Sequence, residues 1–262
     1  MIRSAFSHLE LEVITPARLV FSVAIASTDA VETFAIIQNG SSLVAEEIFD
    51  QHGTRLHVVR AEAGTVSIDY AVEQEGSLPG AEVHEIDEVR YLRPSRYCES
   101  DTLVPVARAE FSGLDGRDLL TSVSSWVGQQ LAYVPGSSLP TDGAVRTLLS
   151  RRGVCRDYAH LVIALLRALD VPARLVSVYA PGLYPMDFHA VAEAFTDGAW
   201  HVLDATNLAP RQSLLRIATG RDASDTAFVS SDGGLVDLIA LEVGAVVDEL
   251  PRDDITRFVQ LA

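Results

Sequence analysis

A chain of 262 residues with 48% hydrophobic side chains can bury one large core or two ordinary ones without disulfide or metal support. Twenty basic against 36 acidic side chains leave a formal charge of −16, which repels phosphate backbones and anionic lipid surfaces, so neither nucleic acid nor a membrane is an expected partner. The two cysteines, Cys98 and Cys155, have the spacing of neither a disulfide scaffold nor a zinc knuckle, and no metal or other cofactor is expected.

The N-terminal stretch MIRSAFSHLELEVITP breaks its apolar residues with Ser, His and Glu, unlike the continuous apolar stretch of a signal peptide. No window approaches the roughly 18 uninterrupted apolar residues of a membrane span. The expectation is a soluble, cytoplasmic protein.

From the start to about residue 90 the pattern has period two. His8 to Val13 alternates cleanly, and Arg55 to Val59 and Val66 to Val72 follow, each reading as a strand. Turn signals separate them at Gln38-Asn-Gly40, Gln51-His-Gly53, Ala63-Gly64 and Gly76 to Gly80. This spacing predicts a small antiparallel, β-sandwich-like domain over 1–95. The stretch Tyr91 to Ser100, with its proline and no periodicity, reads as a connector into a second domain over 96–262.

Beyond the connector the period becomes helical. Leu119, Val123, Trp126 and Val127 predict a helix over 118–131, and a second follows the Pro, Gly and Ser-rich loop 135–143. The third helix is the clearest, because Val154, Tyr158, Leu161, Val162, Leu165, Leu166 and Leu169 share one stripe that ends at Asp170-Val-Pro172. Strands are expected at 174–179, 189–195 and 199–204, the last two joined across Asp197-Gly198, a hairpin signal. Helices followed by an antiparallel sheet make an α+β layout.

Cys155 falls in the first turn of the third helix, where unpaired backbone N–H groups and the positive end of the dipole favour an anion. Thiolate is the nucleophilic form of cysteine, so this placement marks a candidate nucleophile. A two-residue turn at Asp197-Gly198 sets Asp204 opposite Val191, on the same face as His189. The diagonal neighbours His189 and Asp204 are then about 7 to 8 Å apart at Cβ, within reach of a hydrogen bond. His201 points to the opposite face in that register. Asp157 and His160 project about 160° and 140° away from Cys155 on the helix, which suits capping and packing. Tyr133 and Tyr179 each offer a hydroxyl that could supplement the Cys155 N–H as an oxyanion donor, or simply pack. Cys98, in the connector, is expected to be structural or incidental.

Four separated blocks carry a resemblance: Gly153-Val-Cys-Arg-Asp-Tyr-Ala-His160, the run Leu166 to Tyr179, His189-Ala-Val-Ala-Glu193, and Trp200-His-Val-Leu-Asp-Ala-Thr206. Together they resemble the transglutaminase-like superfamily, more narrowly its bacterial cysteine-protease type. The resemblance implies a papain-like fold with Cys155 as nucleophile, His189 as base and Asp204 as the acid that orients it. Two places depart from the common pattern: Val191 stands where many members carry an aromatic residue, and Asp204-Ala-Thr206 replaces a commoner proline-containing version.

The activity implied is hydrolysis of peptide, isopeptide or side-chain amide bonds in a protein or peptide substrate, through an acyl-enzyme. Two alternatives use the same fold: acyl transfer to an amine on the same triad, and a non-catalytic binding or scaffold protein.

Overall fold

The computed structural model describes residues 1–76 and 80–261. Part of the turn signal between Gly76 and Gly80 therefore lies outside the described residues. Strands β1 (Ile2–Val13), β2 (Ala17–Phe21), β3 (Val31–Gln38), β4 (Ser41–Leu43), β5 (Glu46–Phe49), β6 (Arg55–Ala61) and β7 (Gly64–Glu75) open the chain. Next come α1 (Glu85–Arg90), α2 (Ser100–Phe111), α3 (Gly116–Gln130), β8 (Ala132–Tyr133), α4 (Ala144–Ser150), β9 (Arg152–Gly153) and α5 (Cys155–Arg167). The chain continues through β10 (Ala173–Tyr179), β11 (His189–Thr196), β12 (Ala199–Leu203), β13 (Leu215–Gly220), β14 (Val229–Asp232) and β15 (Val236–Val247).

The period-two pattern of the first third builds a β-sandwich. One sheet has the order β15-β1-β7-β3-β4 and the other β14-β2-β6-β5. Alternation along β1 sends Leu9, Leu11 and Val13 into the core, where they meet Leu19, Phe21, Ile36, Val59 and Ile68. The β3–β4 turn places Asn39 and Gly40 at φ 49° and 80°, the left-handed pair that an Asn-Gly hairpin requires.

The sandwich does not end where the first domain was expected to end. β14 and β15, inside the 96–262 stretch, pair antiparallel with β2 and β1. Without them both strands would be bare sheet edges, so the two ends of the chain close the sandwich together.

The second layer is α+β, with α5 packed against β10 and β11 in a sheet of order β12-β11-β10-β13. From Asp157 to Arg167 every residue of α5 is buried, as expected of a helix enclosed by α2, α3, α4 and the sheet. Asp170, at φ 61°, and Pro172 stop any continuation. Helix α2, which the sequence reading did not foresee, follows the expected connector and packs Leu103, Ala107 and Phe111 inward despite Pro105 in its middle.

Three charges tie the strands behind the site. Glu193 of β11, fully buried, accepts from Arg174 of β10 (Nε to Oε2, 2.8 Å) and from Arg216 of β13 (Nη2 to Oε1, 2.6 Å). Burial opposes ionisation of Glu193, and the two guanidiniums outweigh it, holding the carboxyl below its usual range. The Arg174 guanidinium also lies 3.9 Å from the Trp200 ring centroid.

The two layers share a core. Tyr179 reaches across to donate to Val23 O (2.8 Å) and meets Ser7 Oγ at 2.9 Å, while Leu215 and Ile217 join the sandwich interior. The C-terminal segment returns over the second layer, held by the fork of Arg211 on Asp253 (Nε to Oδ2 3.0 Å, Nη2 to Oδ1 2.9 Å). Among the described residues no helix is long and apolar enough to cross a membrane.

Candidate active site

Cys155 is the first residue of α5 and is half-buried. The turn before it is locked from two sides. Asp157 Oδ2 accepts the Val154 N–H at 2.8 Å, and Asp157 N–H returns to Val154 O at 2.9 Å, so Asp157 caps the helix. Arg156 is drawn away from the thiol: its Nη2 donates to Ser138 Oγ (2.7 Å) and Leu139 O (2.9 Å), and also contacts Asp157 Oδ1 (3.2 Å). A Cβ at Gly153 would stand 2.7 Å from Asp157 Cβ, so the residue ahead of the cap must be small.

His189 opens β11 and Asp204 follows β12 directly. Asp197 and Gly198 turn at φ 52° and 76°, and the pairs Thr196 with Ala199 and Ala192 with Leu203 give the register that a two-residue turn requires. The structure brings the two side chains together, with His189 Nε2 2.8 Å from Asp204 Oδ2. The other carboxylate oxygen accepts the Thr206 N–H (2.9 Å) and hydroxyl (2.6 Å). Thr206 thus fixes the carboxylate with two donors.

Burial works against charging the His189 ring, but the Asp204 carboxylate overcomes it through charge and hydrogen bonding, with Cys155 adding to the effect, and the ring is pushed up to about 10. Asp204 is held below the usual carboxylate range, because His189 and Thr206 outweigh its own burial. With Nε2 committed to Asp204, Nδ1 is the nitrogen left for a proton from elsewhere. It is buried and meets no partner in hydrogen-bond geometry, while Cys155 lies within reach of the ring. Such bonds are often loose until substrate closes them.

Tyr133 is carried to Cys155 by a feature too short to see in sequence. β8 pairs parallel with β9, setting Tyr133 against Gly153, two residues before the cysteine. Burial first, and Cys155 next, push the Tyr133 hydroxyl up to about 12. Tyr179 goes the other way, into the sandwich contacts described above, and cannot serve the site.

The remaining sequence candidates are placed by packing. His160 is fully buried, stacks on Tyr97, accepts the Ala223 N–H through Nε2 at 3.1 Å, and is pushed down to about 3 chiefly by burial. His201 sits edge-on to Phe258, away from His189. Cys98 is fully buried, which pushes its thiol up to about 12. Val191 packs with Val176 and Val202 in the core. Gly128 of α3 matters through closeness, since a Cβ there would stand 2.7 Å from Ala205 O, beside Asp204. Asp187, which sequence reasoning passed over, lies two residues ahead of His189, accepts the Phe188 N–H at 2.7 Å, and has its carboxyl pushed up by burial.

A cavity of about 420 Å³, lined by His52, Tyr91, Arg174 and Arg216, includes none of Cys155, His189 and Asp204. Among the described residues no group of three or more His, Cys, Asp or Glu side chains is arranged to hold a metal ion.

A cysteine at the first turn of a buried helix, packed on an antiparallel sheet that carries a bonded histidine and carboxylate, is the arrangement of the papain-like α+β class. Within that class the chain belongs to the transglutaminase-like superfamily, whose family model matches residues 111–205. It is 31% identical to a solved structure from Cytophaga hutchinsonii, named as a putative cysteine protease, with a TM-score of 0.83 over 100% of this chain and 93% of that one. It is also 28% identical over 159 residues to an uncharacterized protein of Mycobacterium leprae, covering 56% of this chain and 55% of that protein. A match to an uncharacterized Mycobacterium tuberculosis protein is 30% identical over 142 residues, covering 46% and 45%. The chain spans about half the length of these curated relatives.

Proposed function

We propose that this chain is a thiol hydrolase that opens an amide bond of a peptide or protein through an acyl-enzyme. The observation that carries the reading is the His189–Asp204 bond of 2.8 Å beside the helix-terminal Cys155. Cys155 Sγ attacks the carbonyl carbon while His189 takes the thiol proton at Nδ1. Asp204 holds the ring in the orientation that keeps Nδ1 toward the sulfur and stabilises the imidazolium that forms. The raised proton affinity of His189 suits it to keep that proton until the leaving amine departs with it. Water, deprotonated by the neutral ring, then releases the acid and restores the thiol.

The oxyanion that develops on the carbonyl needs donors already in place. The Cys155 N–H, at the helix start and directed at the Tyr133 hydroxyl, is one. The Tyr133 hydroxyl, held beside Cys155 by the β8–β9 pairing, is the second.

The test is a pre-steady-state reaction with p-nitrophenyl acetate. A burst of nitrophenol equal to the enzyme present, an acetyl group mapped to Cys155, and loss of the burst in Cys155→Ser and its slowing in His189→Ala are expected. Turnover with no acyl group on Cys155 would refute the reading. Adding an amine to the acetyl-enzyme separates the two fates: free acetate marks a hydrolase, and an amide product marks a transferase.

A further inference from the structure

The cavity of about 420 Å³ lies apart from the triad and is enclosed by three parts of the chain. These are the loop 26–29 and the turn 51–53 of the sandwich, helix α1 with the residues just ahead of it, and Arg174 and Thr219 of the second-layer sheet. Arg90 closes one wall, donating to Gln51 O at 3.3 Å and to Asp87 Oδ1 at 3.2 Å. A space of this size where two layers meet is that of an ordinary small-molecule site.

The charges of its lining are sorted by depth. Arg174, 5% exposed, spends Nε and Nη2 on Glu193 at 2.8 and 2.7 Å, and among the described residues its third guanidinium nitrogen, Nη1, meets no acceptor. The same guanidinium lies 5.6 Å from the Tyr91 ring centroid, and the Tyr91 hydroxyl meets His52 Nδ1 at 2.7 Å. The His52 side chain is 2% exposed, yet its Nε2 makes no hydrogen bond and stands 3.6 Å from Asp225 Oδ2. Buried polar nitrogens left in this way are costly, and a ligand oxygen would relieve them. The mouth is the reverse. Thr28, Asp29 and Glu82 are exposed. Among the described residues Asp29 is in no ion pair, and Glu82 has only His84 Nε2, at 4.0 Å. The third carboxylate, Asp87, is buried and is taken up by Arg90 and by the His84 N–H.

A plain anion entering this cavity would pass Asp29 and Glu82, and a plain cation would end against Arg174. A molecule that carries both charges meets neither repulsion. We propose that the cavity binds a small zwitterion, a free amino acid or a dipeptide, with its carboxylate on Arg174 and His52 and its ammonium at Asp29 and Glu82. The carboxylate completes the Arg174 guanidinium with a charge-assisted hydrogen bond, and the tautomer of His52 that carries its proton on Nε2 donates a second. The proposal does not depend on the role of Cys155.

Calorimetric titration of the full chain carrying Cys155→Ser, so that no peptide is turned over, tests this with three probes. These are L-alanyl-L-alanine, its N-acetyl form, which keeps only the carboxylate, and its C-terminal amide, which keeps only the ammonium. The dipeptide should bind once per chain with a Kd of about 1 mM or below. The amide, which offers Arg174 no carboxylate, should bind about tenfold more weakly or worse. The N-acetyl form, which offers the exposed mouth no ammonium, should bind about fivefold more weakly. Asp29→Asn and Glu82→Gln made together change only exposed side chains; they should erase the preference for the free amine and keep the preference for the free carboxylate. Absence of dipeptide binding, equal binding of the three probes, or a double variant that still discriminates against the N-acetyl form would each overturn the proposal. The last result is the one a dipeptide seated at residue 155 instead would give.

Discussion

Glu193→Gln removes the charge that holds two buried guanidiniums while changing the side chain's shape little. In the wild type Glu193 takes four short contacts from Arg174 and Arg216, at 2.8, 2.7, 3.1 and 2.6 Å, and none of the three side chains is more than 7% exposed. Breaking one partner out of a buried ion cluster strands the others, and costs about 3–5 kcal/mol. For a chain of this size a loss of 1 kcal/mol lowers the melting temperature by about 2–4 °C, so the variant should melt about 6–20 °C lower.

Urea unfolding followed by tryptophan fluorescence, with reversibility checked by dilution, measures the loss, and a thermal scan checks its size. The pH dependence supplies the sign. The Glu193 carboxyl is held below its usual 4.5, so its contribution is complete above that pH and is lost as the pH falls through the lower folded value. The gap between wild type and variant should therefore narrow in acid. A loss under about 1 kcal/mol at pH 7 would refute the claim that this cluster fastens β10, β11 and β13.

Three further expectations follow from the site. In Asp204→Asn the His189 ring loses the group that holds it near 10, and burial alone should take it below 6.5, a change that an NMR titration of the ring reads directly and that an unmoved value would contradict. Gly128→Ala would ordinarily favour a helix by about 1 kcal/mol. Here its Cβ meets Ala205 O at 2.7 Å, so a net loss of about 1–3 kcal/mol is expected, with slower Cys155 acylation because Asp204 is displaced; a more stable, fully active variant would refute the close packing. Tyr133→Phe should slow acylation by p-nitrophenyl acetate about a hundredfold with stability nearly unchanged, and wild-type acylation would remove Tyr133 as an oxyanion donor.

The parts of this fold that were legible in the sequence are those set by local chemistry. Asp197-Gly198 dictates a two-residue turn, the turn dictates register, and register puts His189 and Asp204 on one face. The apolar stripe of α5 and its stop at Asp170 and Pro172 are likewise local.

What escaped depends on partners far along the chain. Nothing near Val236–Val247 says that β15 will pair with β1, more than two hundred residues earlier, and so the sandwich extends beyond residue 95. Helix α2 was hidden by Pro105 and by the turn residues just ahead of it. Tyr133 was visible as a candidate, but its position rests on two two-residue strands with no periodicity to detect. Asp187 sits in an irregular loop with no periodicity to mark it.

The central claim is that Cys155 is a nucleophile made reactive by His189 and oriented through Asp204. The most direct test is the pH profile of Cys155 alkylation by iodoacetamide, resolved from buried Cys98 by peptide mass spectrometry, in wild type, His189→Ala and Asp204→Ala. The account predicts labelling of wild type at pH 6 at least about tenfold faster than in either variant. A wild-type profile that rises only near about 8.5, as for an ordinary thiol, and that neither substitution alters, would contradict it.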